Sequence, residues 1–153
     1  MKKFTKILVP VEGIAVDDDA IRLACLTAKQ DKAHVLMIYV IEVQRNLPLD
    51  AENAPAQERG EQVLTHAEQI ARAFHGQVES ELLQARVAGS AIVDEAIDRG
   101  IDLIVMGVPY RKTLGDFYLG ATASYVFKTA PCPVWLCRAA ASEDKPGAAD
   151  KKK

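Results

Sequence analysis

A chain of 153 residues, 49% hydrophobic and 26% charged, has the balance of one globular domain with a sizeable core. A net charge of -2 offers no general attraction to nucleic acid or to an anionic membrane, and no apolar run approaches the length of a bilayer span, which argues against direct membrane insertion. The three cysteines (Cys25, Cys132 and Cys137) lack metal-ligand spacing and read as buried, reduced thiols, so the default location is cytoplasmic.

The predicted elements alternate between strand and helix. Lys6 to Val11 is a continuous aliphatic run, as expected of a strand covered on both faces, and Gly13 breaks it. Asp17, Asp18 and Asp19 sit well at a helix N-terminus and read as a charge cluster there rather than as a metal site. Ile21, Ala24, Cys25 and Ala28 follow at helical spacing. His34 to Val43 is a second buried strand, and Gln44 to Ala56, with Asn46, Pro48, Asn53 and Pro55, reads as a long surface loop. Val63, Ala67, Ile70, Ala71 and Phe74 form the stripe of a second helix closed near Gly76.

Gln77 to Val87 alternates and is more polar, which suits a strand at a sheet edge. Gly89-Ser90 opens a third helix with Ile92, Val93, Ala96 and Ile97 facing inward, and Gly100 ends it. Asp102 to Met106 is a fourth strand. After a basic loop, Leu119, Ala123, Val126, Phe127 and Ala130 form the inner stripe of a fourth helix, which Pro131 stops. Pro133 to Arg138 is the fifth strand, with Trp135 assigned to the core or to a dimer interface. Residues 139–153 lack a core-forming pattern and read as a disordered tail after a single domain spanning 1–138. The pattern predicts an α/β fold, an open parallel sheet with helices on both faces.

The function-bearing stretch runs from Ile101 to Leu136: an apolar strand, Gly107, a basic loop with Gly115, and Gly120 opening a helix. Glycine at a strand end and at a helix N-terminus lets backbone N–H groups approach an anion, as in a phosphate pocket. The strand-end loops Val11-Glu12-Gly13 and Gly107-Val108-Pro109 fall at the carboxyl edge, where such sheets open a ligand crevice. Arg111 and Lys112 are either a solvated loop or two anion-binding cations. Tyr110 is a gate, a stacking surface or an ordinary loop aromatic, and Glu12 accepts a hydrogen bond from a ribose hydroxyl or from neighbouring backbone. His34, His66 and His75 are scattered, with no nucleophile near them, and no general base is placed near the loop. The chain therefore reads as a non-enzyme, a slow ATPase or nucleotidyl transferase being the alternative the sequence does not support.

The opening KILVPVEG, the strand ending Tyr39-Val40-Ile41-Glu42, the DLIVMG strand and the closing APCPVWL, in this order from Phe4 to Arg138, resemble the universal stress protein family. That resemblance implies a five-stranded parallel sheet of order 3-2-1-4-5, adenine-nucleotide alpha hydrolase-like, and a homodimer paired through the last strand. The family's nucleotide-binding branch carries a glycine, two residues, a second glycine, nine residues, then glycine and Ser/Thr, holding ATP or AMP. Gly107 and Gly120 match its first and last glycines, whereas Tyr110 replaces the middle one and Ala121 and Ala123 replace hydroxyl residues. Pro10 matches, Glu12 replaces the usual Asp, and Val40 takes the place of the residue whose backbone meets adenine. Tyr110 is expected to obstruct phosphate approach and to fill part of the crevice.

The resemblance thus implies a nucleotide-binding set of Pro10, Glu12, Val40, Gly107, Tyr110, Arg111, Lys112, Gly120, Ala121 and Thr122, and no metal-ligating or catalytic residue. The implied cofactor is an adenine nucleotide (ATP, AMP or a cyclic form), with or without Mg²⁺, and the implied role is stress-response regulation. The alternative is a dimeric interaction module that has lost the nucleotide. ARVAGSAIVDEA, GVPYRK and LGATASYV are similar to stress-protein domains associated with amino-acid and cation transporters, which implies a transporter as partner.

Overall fold

The computed structural model describes residues 3–141, with Thr113 described by its backbone alone. Five parallel strands form the sheet: β1 (Lys6–Pro10), β2 (His34–Glu42), β3 (Val78–Ala85), β4 (Leu103–Val108) and β7 (Val134–Arg138), in the order β3-β2-β1-β4-β7. The crossovers are α1 (Val16–Asp31), α2 (Ala54–Arg72), α3 (Ala88–Arg99) and α4 (Ala121–Thr129). A short antiparallel hairpin, β5 (Lys112–Thr113) and β6 (Asp116–Phe117), interrupts the last crossover. The topology and the edge position of β3 agree with the sequence pattern.

The alternation of side chains along buried strands divides the core in two. Ile7 and Val9 of β1, Val35 and Met37 of β2 and Leu103 and Val105 of β4 meet Ala24, Ala28, Leu64 and Ala67 of α1 and α2. Their neighbours Leu8, Leu36, Ile38, Ile104 and Met106 meet Ile92, Ala96 and Val126 of α3 and α4. Asp102 ties the amino ends of β4 and β1 together, its carboxylate accepting the Thr5 and Lys6 N–H groups at 2.9 and 3.0 Å. Gly100, at φ 65°, closes α3.

Three sequence expectations change. The segment up to Ala56 is not all loop, because α2 begins at Ala54. Asn53 is its N-cap, accepting the Ala56 N–H, and Pro55 occupies the first turn, so two residues taken as loop formers are helix-start signals. Ile97 and Phe127, assigned to inner stripes, are each 59% exposed, since two short helices present more apolar positions than their shared core holds. The basic loop is a hairpin. Its turn sets Leu114 and Gly115 at φ 53° and 85°, the paired positive values of a tight two-residue hairpin turn. Trp135 is half-buried and lies edge-on to Phe4, ring centroids 5.7 Å apart. The predicted tail lies, from residue 142 onward, outside the described residues, and Ala139 extends the β4–β7 pairing by donating to Val108 O at 2.9 Å.

Candidate functional site

Strand order reverses between β1 and β4, and there the diverging loops leave a crevice at the carboxyl edge. A cavity of about 350 Å³ opens at this point, lined by Pro10, Glu12, Val40, Gly107 and Thr122, and also by Glu42, Asn53 and Ala88. The volume lies within the usual range for small-ligand sites. A second lobe of about 140 Å³ continues from it, lined by Glu12, Gly107, Arg111, Tyr118, Gly120 and Ala121. Glu12, Met106, Gly107 and Thr122 border both lobes. The sequence-derived residues therefore converge, with two exceptions treated below.

The lip between β1 and α1 is fixed by a residue the sequence reading placed in a generic acidic cluster. Asp17 is 5% exposed, and its Oδ2 accepts the N–H groups of Glu12, Gly13 and Ile14 at 2.9, 2.7 and 3.1 Å. Burial raises this carboxyl above its ordinary value of 3.8, with the three backbone hydrogen bonds opposing the rise. Gly13, at φ 90°, permits the turn, and a Cβ there would stand 2.8 Å from Val63 on α2. The acceptor of local backbone N–H groups is thus Asp17, while the Glu12 side chain stands exposed at the crevice. The other two acids act separately: Asp18 faces His66 Nε2 at 3.2 Å, and Asp19 faces Arg22 at 3.5 Å.

Gly107 and Gly120 are glycines for different reasons. A Cβ at Gly107 would lie 2.9 Å from the Val16 carbonyl oxygen, so close packing of the α1 start against β4 requires it. Gly120 has φ -63° and ψ 166°, a conformation open to any residue, and a Cβ there would meet no protein atom within 4 Å. The fold does not need a glycine at 120, but the small lobe it borders would be narrowed by a side chain. Gly120 is also the N-cap of α4 and supplies no side-chain acceptor, leaving the first-turn N–H groups of Ala121, Thr122 and Ala123 at the lobe. The hydroxyl missing at Ala121 is offered one residue later by Thr122, which borders both lobes.

Tyr110 does not fill the crevice. It stacks on Phe117 of the hairpin, centroids 5.7 Å apart, and the Arg138 guanidinium lies 4.7 Å over its ring. Packed there, the ring lines neither lobe. Lys112 belongs with it, its Nζ 6.0 Å from the same ring, and lines neither lobe. Arg111 remains at the small lobe, opposite a residue that sequence reasoning missed. Tyr118 stands on the other leg of the hairpin, its N–H donating to Arg111 O at 3.0 Å. The signal was present: Leu114-Gly115 between RKT and DFY has the form of a tight turn between short strands.

Cys25 is buried and its thiol is pushed up to about 11 by burial, and burial likewise raises the half-buried Cys132 and Cys137. A further cavity of about 250 Å³ lies between α1 and α2, lined by Ile14, Ile21, Val63, Ala67 and the Asp18–His66 pair. Among the described residues no cluster of three or more His, Cys, Asp or Glu side chains has metal-binding proximity, and no helix is long and apolar enough to cross a membrane.

Comparison with known proteins gives the same architecture. A universal stress protein of Methanocaldococcus jannaschii is 31% identical over 141 residues, covering 88% of this chain and 82% of its own length. One from Thermus aquaticus is 32% identical over 140 residues, covering 88% and 99%. The solved structure of a universal stress protein from Archaeoglobus fulgidus superposes with a TM-score of 0.72 at 24% identity, covering 87% and 93%. Two further universal stress protein structures, one from Archaeoglobus fulgidus with dAMP and one with cAMP, superpose with TM-scores of 0.71, at 19% and 17% identity, covering 88% of this chain and 98% and 97% of theirs. The universal stress protein family model matches residues 3–138. With its fold, its strand order and these relatives, the chain belongs to the universal stress protein family.

Proposed function

We propose that this chain is a cytoplasmic, non-enzymatic regulatory protein that binds an adenine nucleotide in the crevice between β1 and β4. The observation that carries the reading is Gly120: a glycine its own backbone does not require, bordering a lobe into which Arg111, Tyr118 and the first N–H groups of α4 converge. The larger lobe, with Val40 and Ile41 along one wall, suits the base and ribose, and the exposed Glu12 carboxylate stands where the lobes join, within the reach of a ribose hydroxyl. Binding of dAMP and of cAMP by fold neighbours supports this ligand class.

The same reading includes a homodimer paired through β7. That strand is an outer edge of the sheet, with Val134 to Cys137 only half-buried and Phe127 exposed on α4. A transporter is the partner class we propose, on the strength of the sequence resemblance. The competing reading, an interaction module without nucleotide, loses one support because Tyr110 points away from the crevice. Denaturing freshly purified protein and identifying the released small molecule tests the proposal. Adenine absorbance with a nucleotide mass is the expected result. No released nucleotide, together with no saturable binding of AMP, ATP or cyclic AMP at millimolar concentration, would overturn it.

A further inference from the structure

The small lobe limits what the crevice accepts. Its volume of about 140 Å³ is under half that of the larger lobe, at about 350 Å³. Its charges are equally limited. Among the described residues Arg111 is the single cationic side chain lining it, and the Glu12 carboxylate lines it too. Two other cations among the described residues do not line it: the Arg138 guanidinium lies 4.7 Å over the Tyr110 ring and 5.8 Å from the Phe117 ring, and Lys112 Nζ lies 6.0 Å from the Tyr110 ring.

The β5–β6 hairpin sets this limit. Tyr110, Phe117 and Arg138 clamp its outer face, and the Tyr118 N–H to Arg111 O bond joins its legs where they reach the lobe. Arg111 and Tyr118 are thereby held as a pair, one charged fork and one phenol, with no hydrogen-bond or ion-pair partner for either side chain among the described residues. A phosphate on this pair would also receive the first-turn N–H groups of α4. Second and third phosphates would extend past the pair, where no further cation lines the lobe among the described residues.

Resting on the adenine-nucleotide reading above, we infer that the site selects nucleotides bearing a single phosphate, with Arg111 and Tyr118 as the specificity-determining residues. The full chain, freed of any co-purified ligand, is titrated calorimetrically with adenosine, AMP, cyclic AMP, ADP and ATP, each with and without Mg²⁺. AMP or cyclic AMP is expected to bind at least tenfold tighter than adenosine, and severalfold tighter than ADP or ATP. Arg111→Ala is expected to remove most of the advantage over adenosine, and Tyr118→Phe to reduce it severalfold, with adenosine affinity and the unfolding midpoint unchanged in both. ADP or ATP binding as tightly as the better single-phosphate ligand, in either condition, overturns the selectivity and leaves the adenine-nucleotide reading standing. An AMP-to-adenosine ratio unmoved in both variants overturns the assignment of the pair. If neither adenosine nor any nucleotide binds, the preceding reading itself fails.

Discussion

Asp17→Ala removes one oxygen that accepts three backbone N–H groups at the lip of the crevice. Hydrogen bonds to a charged acceptor contribute about 1.5–3 kcal/mol each, a gross loss of about 5–9 kcal/mol for three. Two terms reduce it. The raised carboxyl pKa shows that burial of the charge already offsets part of the gain, and the exposed Glu12 and Gly13 recover water on their freed N–H groups. A net loss of about 2–4 kcal/mol remains, or roughly 5–15 °C in melting temperature for a domain of this size.

Asp17→Asn keeps an acceptor oxygen in place and is expected to stay within about 1 kcal/mol of the parent. The pH dependence has a definite sign. Because the folded carboxyl lies above its ordinary 3.8, the folded state binds the proton more tightly, and this contribution is full below 3.8 and lost as pH rises through the folded value. The parent therefore gains stability relative to Asp17→Asn as pH falls from 7 toward 4. Urea unfolding of the three proteins at both pH values measures this. An alanine variant within about 0.5 kcal/mol of the parent, the scatter of neutral surface changes, would refute the clamp.

The two matched glycines separate cleanly. Gly120→Ala is expected to leave stability within about 0.5 kcal/mol, since its Cβ meets no protein atom within 4 Å, while nucleotide affinity falls tenfold or more. Gly107→Ala sets a methyl 2.9 Å from the Val16 carbonyl and is expected to cost about 1–3 kcal/mol of stability by denaturant titration. Gly60→Ala sets a Cβ 2.5 Å from Leu82 and 2.8 Å from Tyr39, whose side chains must shift at a cost of about 1–2 kcal/mol. Cys25, with its thiol raised to about 11, is expected to resist iodoacetamide at pH 8 in the folded protein and to react on unfolding, as mass spectrometry of the peptides would show.

The sheet was legible because strands buried on both faces leave uninterrupted aliphatic runs, and Gly100 marks a left-handed helix end with little ambiguity. The polar alternation of β3 announced its edge position for the same reason. Misreadings arose where one residue type serves two roles. Asn53 and Pro55 belong equally to loops and to helix starts, and only the context of α2 decides. Ile97 and Phe127 continue an apolar stripe that the core cannot accommodate.

At the site, motif spacing placed the backbone of Gly107, Tyr110 and Gly120 but said nothing of where the Tyr110 ring points. Its stacking on Phe117 depends on a hairpin that was read as a basic loop. Asp17 was equally hidden, since three adjacent acids give no sign of which one is buried. Tyr118 required the same hairpin to be brought opposite Arg111.

Backbone amide shifts recorded during titration of the full chain with AMP test the central claim most directly. The account expects saturable shifts at Glu12, Gly107, Gly120 and Thr122, bordering the two lobes, with His66 and Val63 at the α1–α2 cavity unmoved. Saturable shifts centred on His66 and Val63, or none at Gly107 and Gly120 at millimolar AMP, would contradict it.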